Sequence, residues 1–421
     1  MDRDRRLAYL ALREIESEGS YSNLALNRLF SQETASSQSF VRELVYGVLR
    51  NERLLDWNVA RYLKKPGLGR AERILLRMGF YQAAMMDGVS PYAAVNETVT
   101  LAKSFIRGRE GFVNAVLRSF VRDGAALSFP EGGDPAEELC VRYSFAPWIA
   151  ELWISQYGME AAEALMAASC TPAPLVIRPN RLRTDRDGLT EILGDRFELG
   201  SCKRSSSALS VRGQGLLSTE EYKSGLFSVQ GEASQLAVEL LAPEPGETLI
   251  DLCAAPGGKS AAAAELMEDR GRVLAFDLYE KRAALIESSV KRLGIGIVTS
   301  AQKDASVPDE ALFESAERVI CDVPGSGLGV LRQKPEIKLR EEPDIAILPG
   351  LQLKILENGA KYLKRGGRLL YSTCTVNMDE NEGVTGAFMA AHSGYEKIYE
   401  EQILTEPGGP DGFYICILEK R

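Results

Sequence analysis

The chain has 421 residues, 45 % of them hydrophobic, which at about 100–200 residues per domain predicts two or three domains. No apolar run approaches the roughly 20 residues of a membrane span, and the charged helical start "MDRDRRLAYLALREIE" carries no signal peptide, so a cytoplasmic protein is expected. Seven scattered cysteines without a CxxC pair argue against a disulfide scaffold or a zinc site, and the single histidine, His392, argues against a His-based metal site or a Ser-His-Asp triad.

The net charge of −9 is unevenly spread. Residues 1–125 carry 19 Lys and Arg against 14 Asp and Glu, a net of +5, and the remainder 31 against 45, a net of −14. A basic N-terminal third on an acidic body suits an RNA-contacting module, because phosphate neutralisation supplies much of such affinity; an ordinary solvated helical surface would look the same.

Residues 1–125 read as an all-helical bundle. "FVRELVYGVLR" puts Phe40, Val41, Leu44, Val45, Val48 and Leu49 on one face, and "FVNAVLRSF" does so with Val113, Val116, Leu117 and Phe120. Ala125–Pro135 is a linker. "YSFAPWIAELWISQYG" predicts a helix with Pro147 in its first turn and Trp148, Leu152 and Trp153 on its apolar face. Leu175-Val176-Ile177 is a short strand candidate, so residues 126–228 form a small α+β connecting region. From residue 229 onward strands and helices alternate: "ETLIDLC", an Ala-rich helix from about Lys259, "RVLAFD", "YEKRAALIESSVKRLG", "GIVTSAQ", "ERVICD", the helix "LQLKILENGAKYLKRGG" and the strand "RLLYSTC". That order predicts a Rossmann-like α/β domain over 229–421, with a parallel sheet and ligands at the carboxyl ends of its strands.

Several candidate site residues fall at those ends. In "DLCAAPGGKS", Gly257 and Gly258 allow close backbone approach to a ligand beside a helix N-terminus. Asp251 and Asp277 end the first two strands, Asp304 follows the third, and Asp322 ends "ERVICD". Each alone could be a cap or turn residue; together they suit a cationic, phosphate-free cofactor such as S-adenosylmethionine. The absent GxGxxG argues against a nicotinamide enzyme. Cys374, just past "RLLYST", reaches the same rim. A free thiol has a pKa of about 8.5 and is only slightly ionised at neutral pH, yet its thiolate attacks electron-poor carbon well. The alternative is an inert buried cysteine, the reading given to Cys253 and Cys321.

"DLCAAPGGKS", "CDVPGSGLGVLRQKPEIK" and "YSTCTVNMDENE" resemble three motifs of the NOP2/Sun (Fmu) family of RNA cytosine-C5 methyltransferases. Residues 1–125, with "VNETVTLAK" and "FVNAVLR", resemble the NusB-like RNA-binding bundle of its bacterial 16S ribosomal RNA branch, and "IRPNRLRT" and "FSVQGEASQLA" resemble the connecting region. The resemblance covers nearly the whole chain. It implies a monomer that acts on 16S ribosomal RNA, free or in a small-subunit assembly intermediate. It also implies Cys374 as the nucleophile toward cytosine C6 and Asp322 as the acid that holds the base. Cys253, Ala254, Ala255, Pro256, Gly257, Gly258, Lys259, Asp277, Asp304 and Asp322 would bind S-adenosylmethionine. One departure stands out: the family has a second cysteine, implicated in product release, where this chain has Gly325. Smaller ones are Gly231, where an Asp is usual, and Pro410. A DNA cytosine-C5 methyltransferase would take its nucleophile from the Gly325 position, which excludes that class. A catalytically silent RNA-binding assembly factor is the alternative.

Overall fold

The computed structural model describes residues 2–65, 67–341 and 345–421. Of these, the residues up to Cys170 and those from Leu331 to Glu341 form one compact unit; Thr171–Val330 and Ile345–Arg421 form the other.

The described residues of the first unit fold into α1 (Arg3–Glu18), α2 (Ser22–Gln32), α3 (Gln38–Arg50), α4 (Glu52–Ala60), α5 (Arg70–Ala84), α6 (Pro91–Phe105), α7 (Glu110–Arg122), α8 (Pro135–Arg142), α9 (Pro147–Tyr157) and α10 (Met159–Ser169). Polar residues start several of them: Asp2 accepts the Arg5 N–H at 2.8 Å and Ser37 the Phe40 N–H at 3.2 Å, contacts worth about 1 kcal/mol each. The expected stripes on α3 and α7 are buried, with Phe80 stacked on Phe120 at 4.0 Å. Phe40 is the exception: it stays half-buried under the Arg5 guanidinium. On α9, Trp153 is fully buried, whereas Trp148 and Leu152 are half-buried. The segment from Leu331 is anchored by buried polar groups. Lys338 Nζ donates to the carbonyls of Arg50 and Tyr143, each at 2.7 Å, and Glu336 accepts the Ser22 N–H at 3.0 Å.

The second unit contains two sheets. The smaller is antiparallel, built from β1 (Leu175–Pro179), β2 (Glu198–Ser201), β3 (Leu209–Arg212) and β4 (Phe227–Val229) in the order β2-β3-β1-β4. The strand read at Leu175-Val176-Ile177 is therefore β1, one of its two inner strands. Helices α11 (Arg186–Leu193) and α12 (Glu220–Lys223) belong to this layer. Ile177, Leu189, Phe197, Leu209 and Phe227 form its core.

The larger sheet contains β5 (Thr248–Asp251), β6 (Arg272–Asp277), β7 (Val298–Gln302), β8 (Ala316–Asp322), β9 (Leu363–Thr373), β10 (Tyr395–Ile403) and β11 (Phe413–Lys420). Its order is β10-β11-β9-β8-β5-β6-β7. β5 to β9 are parallel, as expected; β10 and β11 are antiparallel additions that the βαβ rhythm does not announce. The faces are covered by α13 (Glu232–Leu241), α14 (Gly258–Leu266), α15 (Glu280–Leu293), α16 (Leu348–Tyr362) and α17 (Glu382–Ala391). Alternation decides which side chain meets which layer: Leu249, Ile320 and Leu370 join one buried cluster, and their neighbours Ile250, Val319 and Leu369 join the other. Such side chains contribute about 1.5–3 kcal/mol each.

One boundary differs from expectation. The helix predicted to run through "KRGG" ends at Tyr362, and Leu363 already begins β9. Gly366, at φ 78°, sits inside that strand, where β8 and β9 shift register, instead of capping the helix. The strand order makes β5 the switch point, since its partners β6 and β8 lead in opposite directions through the sheet, and ligands of such sheets bind there.

Candidate active site

β5, β6 and β8 end in Asp251, Asp277 and Asp322. Asp251 is 1 % exposed, and the Ser260 hydroxyl donates to its Oδ2 at 2.6 Å. Its Oδ1 is buried with no hydrogen-bond partner. Burial pushes this carboxyl up to about 7, with the Ser260 hydrogen bond opposing and the Asp322 charge reinforcing the shift. Asp277 accepts the Ala255 N–H at 3.3 Å and the Tyr279 N–H at 3.2 Å, with Arg282 at 3.5 Å.

The glycine turn between β5 and α14 is held by its own backbone and by β6. Ala254 donates to the Phe276 carbonyl at 2.7 Å, and Gly257 donates back to the Ala254 carbonyl at 2.7 Å. Pro256 follows a cis bond. Gly257 has φ 101°, a conformation that an L side chain rarely adopts, and a Cβ there would also press on Ile286 at 3.2 Å. Cys253 is half-buried in this turn, and its thiol is pushed up by burial first and by the three acids second. Cys321 is fully buried, and its thiol is pushed up by burial first and by its neighbours Cys253, Asp251 and Asp322 after that. Asp304 is exposed and accepts the Ser306 N–H at 2.8 Å, the geometry of a turn residue; its neighbour Lys303 donates to the Asp277 carbonyl at 2.9 Å.

Asp322 is fixed at both oxygens: Lys259 Nζ donates to Oδ2 and the Ser372 hydroxyl to Oδ1, each at 2.7 Å. Lys259 also reaches Ser234 Oγ at 3.3 Å and lies 5.0 Å from the Phe413 ring centroid. Asp322 pairs in register with Ser372, two residues before Cys374, so the acid and the thiol lie at the same end of adjacent parallel strands. Cys374 is half-buried, and its carbonyl accepts the Gly329 N–H at 3.0 Å.

Sequence reasoning missed the residues that join these loops. Glu380 is fully buried; its Oε2 accepts the Ser326 N–H and Gln352 Nε2, each at 2.9 Å, and its Oε1 accepts Asn377 Nδ2 at 3.1 Å. Gln352 also donates to the Pro324 carbonyl at 3.0 Å, and Ser326 and Thr375 share a hydroxyl hydrogen bond of 2.8 Å. Asn381 accepts from the Thr373 hydroxyl at 2.6 Å and donates to the Thr375 carbonyl at 3.1 Å. The signal for Glu380 and Asn381 was present in "DENE". Gly325 stands against this cluster: a Cβ placed on it would lie 2.7 Å from Glu380 Oε2.

The donor set fits a small cationic nucleoside cofactor: acids at successive strand ends, an orphaned acceptor on Asp251 and a turn whose glycines leave backbone open. Among the described residues no group of three His, Cys, Asp or Glu is placed to hold a metal, and no helix is long and apolar enough to cross a membrane.

Residues 238–409 match the family described as 16S rRNA methyltransferase RsmB/F, residues 2–122 the NusB family, and residues 145–214 the ferredoxin-like domain of RsmF/B-like methyltransferases. The chain is 35 % identical to a probable ribosomal RNA small subunit methyltransferase B of Bacillus subtilis (strain 168), over 99 % of this chain and 98 % of that one. It is 31 % identical to ribosomal RNA small subunit methyltransferase B of Pseudomonas syringae pv. tomato, over 99 % and 96 %. Among solved structures, the protein PH0851 aligns with TM-score 0.83 and 26 % identity over 100 % of this chain and 99 % of the other. A methyltransferase homolog protein from Pyrococcus horikoshii aligns with TM-score 0.60 and 27 % identity over 69 % of this chain and 100 % of the other. The fold class expected from the sequence is the one found, and S-adenosylmethionine is its cofactor. A switch-point glycine turn, its strand-end acids and full-length similarity together assign the chain: it belongs to the 16S ribosomal RNA methyltransferase RsmB/F family.

Proposed function

We propose that the protein methylates C5 of a cytosine in 16S ribosomal RNA, with Cys374 as covalent nucleophile and Asp322 as the acid that holds the base. The observation that carries this reading is the register pairing of Asp322 with Ser372, which sets a carboxylate and the Cys374 thiol on one rim beside the glycine turn. The turn Cys253–Gly258 with Lys259, Asp277 and Asp304 forms the cofactor side, and bound S-adenosylmethionine supplies an electrophilic methyl group.

Cytosine C5 is too weak a nucleophile to take that methyl unaided. The Cys374 thiolate adds to C6, the C5–C6 double bond delivers its electrons to C5, and C5 forms the new bond to the methyl carbon as the methyl–sulfur bond breaks and S-adenosylhomocysteine leaves. Asp322 hydrogen-bonds N3 and the exocyclic amine and stabilises charge that develops on the ring. A water molecule takes the C5 proton, the C5–C6 double bond re-forms and the thiolate is expelled from C6. Gly325 offers no group for that last step, so release is slow and the adduct accumulates. The base must leave its stack or lie in a loop to be reached. The basic helical bundle supplies phosphate contacts.

The test incubates the protein with S-adenosylmethionine and unmodified small-subunit RNA, and reads a denaturing gel and a bisulfite map. A gel-stable adduct and one 5-methylcytosine are expected, both lost in Cys374→Ala. Neither signal in the wild type leaves a silent RNA-binding assembly factor, and methylation that survives Cys374→Ala removes the nucleophile assignment.

A further inference from the structure

The connecting layer reaches the cofactor turn through one buried cation. Arg178, on β1, is 3 % exposed. Its Nε and Nη2 donate to the two carboxylate oxygens of Glu265, at 3.1 and 2.7 Å. Its Nη1 donates to the Gly258 carbonyl at 2.9 Å and to Gln230 Oε1. Glu265 lies on α14, the helix that Gly258 starts, and its side chain is fully buried.

These contacts make an asymmetric frame. On the β6 side the turn is tied by Ala254 to the Phe276 carbonyl and by Ala255 to Asp277. On the β1 side the ties are Arg178 and the packing of Gln230, whose Nε2 would lie 3.5 Å from a Cβ on Gly258. A planar guanidinium can bind a carboxylate with one edge and a carbonyl with the other, which a lysine ammonium cannot reproduce. The same side chain therefore fixes both the first carbonyl and the third turn of α14.

We propose that Arg178 is a positioning residue for S-adenosylmethionine: from the ferredoxin-like layer it holds the Gly258 carbonyl, so that the glycine turn is ordered before the cofactor arrives. Without it the start of α14 must be ordered on binding, and that cost appears as lost cofactor affinity. The proposal rests on the cofactor assignment alone, and neither the cytosine reading nor the role of Cys374 enters it.

The experiment uses the full chain and titrates S-adenosylhomocysteine by calorimetry, with thermal melting of each ligand-free variant alongside. Arg178→Lys keeps a charge beside Glu265 but loses the two-edged contact. The double variant Arg178→Met/Glu265→Leu replaces the ion pair by apolar side chains of similar size, a change that buried pairs often tolerate. Glu265→Gln keeps Arg178 on Gly258 and removes only the charge of its partner. Both variants that lose the carbonyl contact should bind about tenfold more weakly, while Glu265→Gln stays within about twofold of wild type whatever its melting temperature. Equal affinity across all variants overturns the proposal. So does a loss in Glu265→Gln as large as in Arg178→Lys, since affinity would then follow stability and not the contact. Unchanged affinity with lost methylation speaks to the reaction at Cys374 and leaves Arg178 without this role.

Discussion

Restoring a thiol at Gly325 tests the release step and has a structural cost that can be worked out in advance. A Cβ on Gly325 would lie 2.7 Å from Glu380 Oε2 and 3.4 Å from Gln352 Nε2. The nearer atom ends a flexible side chain, so it can move, but it is fully buried and accepts two hydrogen bonds of 2.9 Å. Displacing it weakens one charge-assisted hydrogen bond, a loss of roughly 1.5–3 kcal/mol, which should lower the melting temperature by a few degrees. Gly325→Ala imposes the same crowding without a thiol and is the control. Labelled S-adenosylmethionine and small-subunit RNA are followed over one and many turnovers, with adduct and free methylated RNA separated on a denaturing gel. Both variants should melt lower by a similar amount. Only Gly325→Cys should raise free methylated RNA relative to adduct, by about a hundredfold or more, the scale of one well-placed proton-transfer group. The reasoning is refuted if Ala and Cys variants partition alike, or if the wild type turns over freely with no adduct.

Two further outcomes follow from the buried polar groups. Asp251 has a carboxyl raised to about 7 from an ordinary value of 3.8, so between those values the folded state binds more protons and stability falls as pH rises. Asp251→Asn should remove that slope, and its stability relative to wild type should grow between about pH 4 and 7 by a few kcal/mol and then level off; a flat difference across pH 5–8 in denaturant titrations would count against the burial argument. In the first unit, Lys338→Ala strips a fully buried cation from the Arg50 and Tyr143 carbonyls and should destabilise the protein by about 2–4 kcal/mol. Lys338→Met, which refills the volume, should recover part of that loss in the same melts, and an exposed-lysine effect below about 0.5 kcal/mol would contradict its burial.

The parts of the fold that the sequence makes legible are those set by local pattern. The stripes of α3 and α7 repeat every three to four residues, and β5, β6, β8 and β9 are apolar runs ended by an acid or a polar turn, so their faces and ends could be read in advance. β10 could not. "YEKIYEEQI" alternates half-buried and exposed positions at the sheet edge, with no apolar run. β11 is a run of buried residues, but its insertion antiparallel between β9 and β10 is a long-range choice that no local signal encodes. The α16–β9 boundary was misplaced because glycines that usually cap helices here serve a register shift. The site divides in the same way. Asp322 ends β8 and Cys374 follows the last residue of β9, positions that local pattern can point to, whereas Gln352, Glu380 and Arg178 act on partners 28, 54 and 80 residues away.

The glycines of "PGSGLG" carry different constraints, and that difference bears on what the departure at Gly325 can affect. Gly327 takes φ 77°, where a side chain is strained, and its carbonyl accepts the Val330 N–H at 3.1 Å. Gly329 donates to the Cys374 carbonyl at 3.0 Å and accepts the Gly412 N–H at 2.9 Å; a Cβ on it would lie 2.0 Å from the Gly412 carbonyl oxygen, a backbone clash that no rotamer relieves. These two glycines hold the turn and the backbone of the thiol in place, and neither depends on what occupies position 325. The three atoms nearest a Cβ on Gly325 all belong to side chains, Glu380 Oε2 at 2.7 Å, Gln352 Nε2 at 3.4 Å and Thr375 Cγ2 at 3.8 Å, and the nearest of them ends a movable carboxylate. Absence of a second thiol thus removes a reactive group at a point where the backbone frame of Asp322 and Cys374 is carried by other residues. On the proposed chemistry, addition and methyl transfer keep their geometry, and the departure falls on the proton removal that ends the cycle.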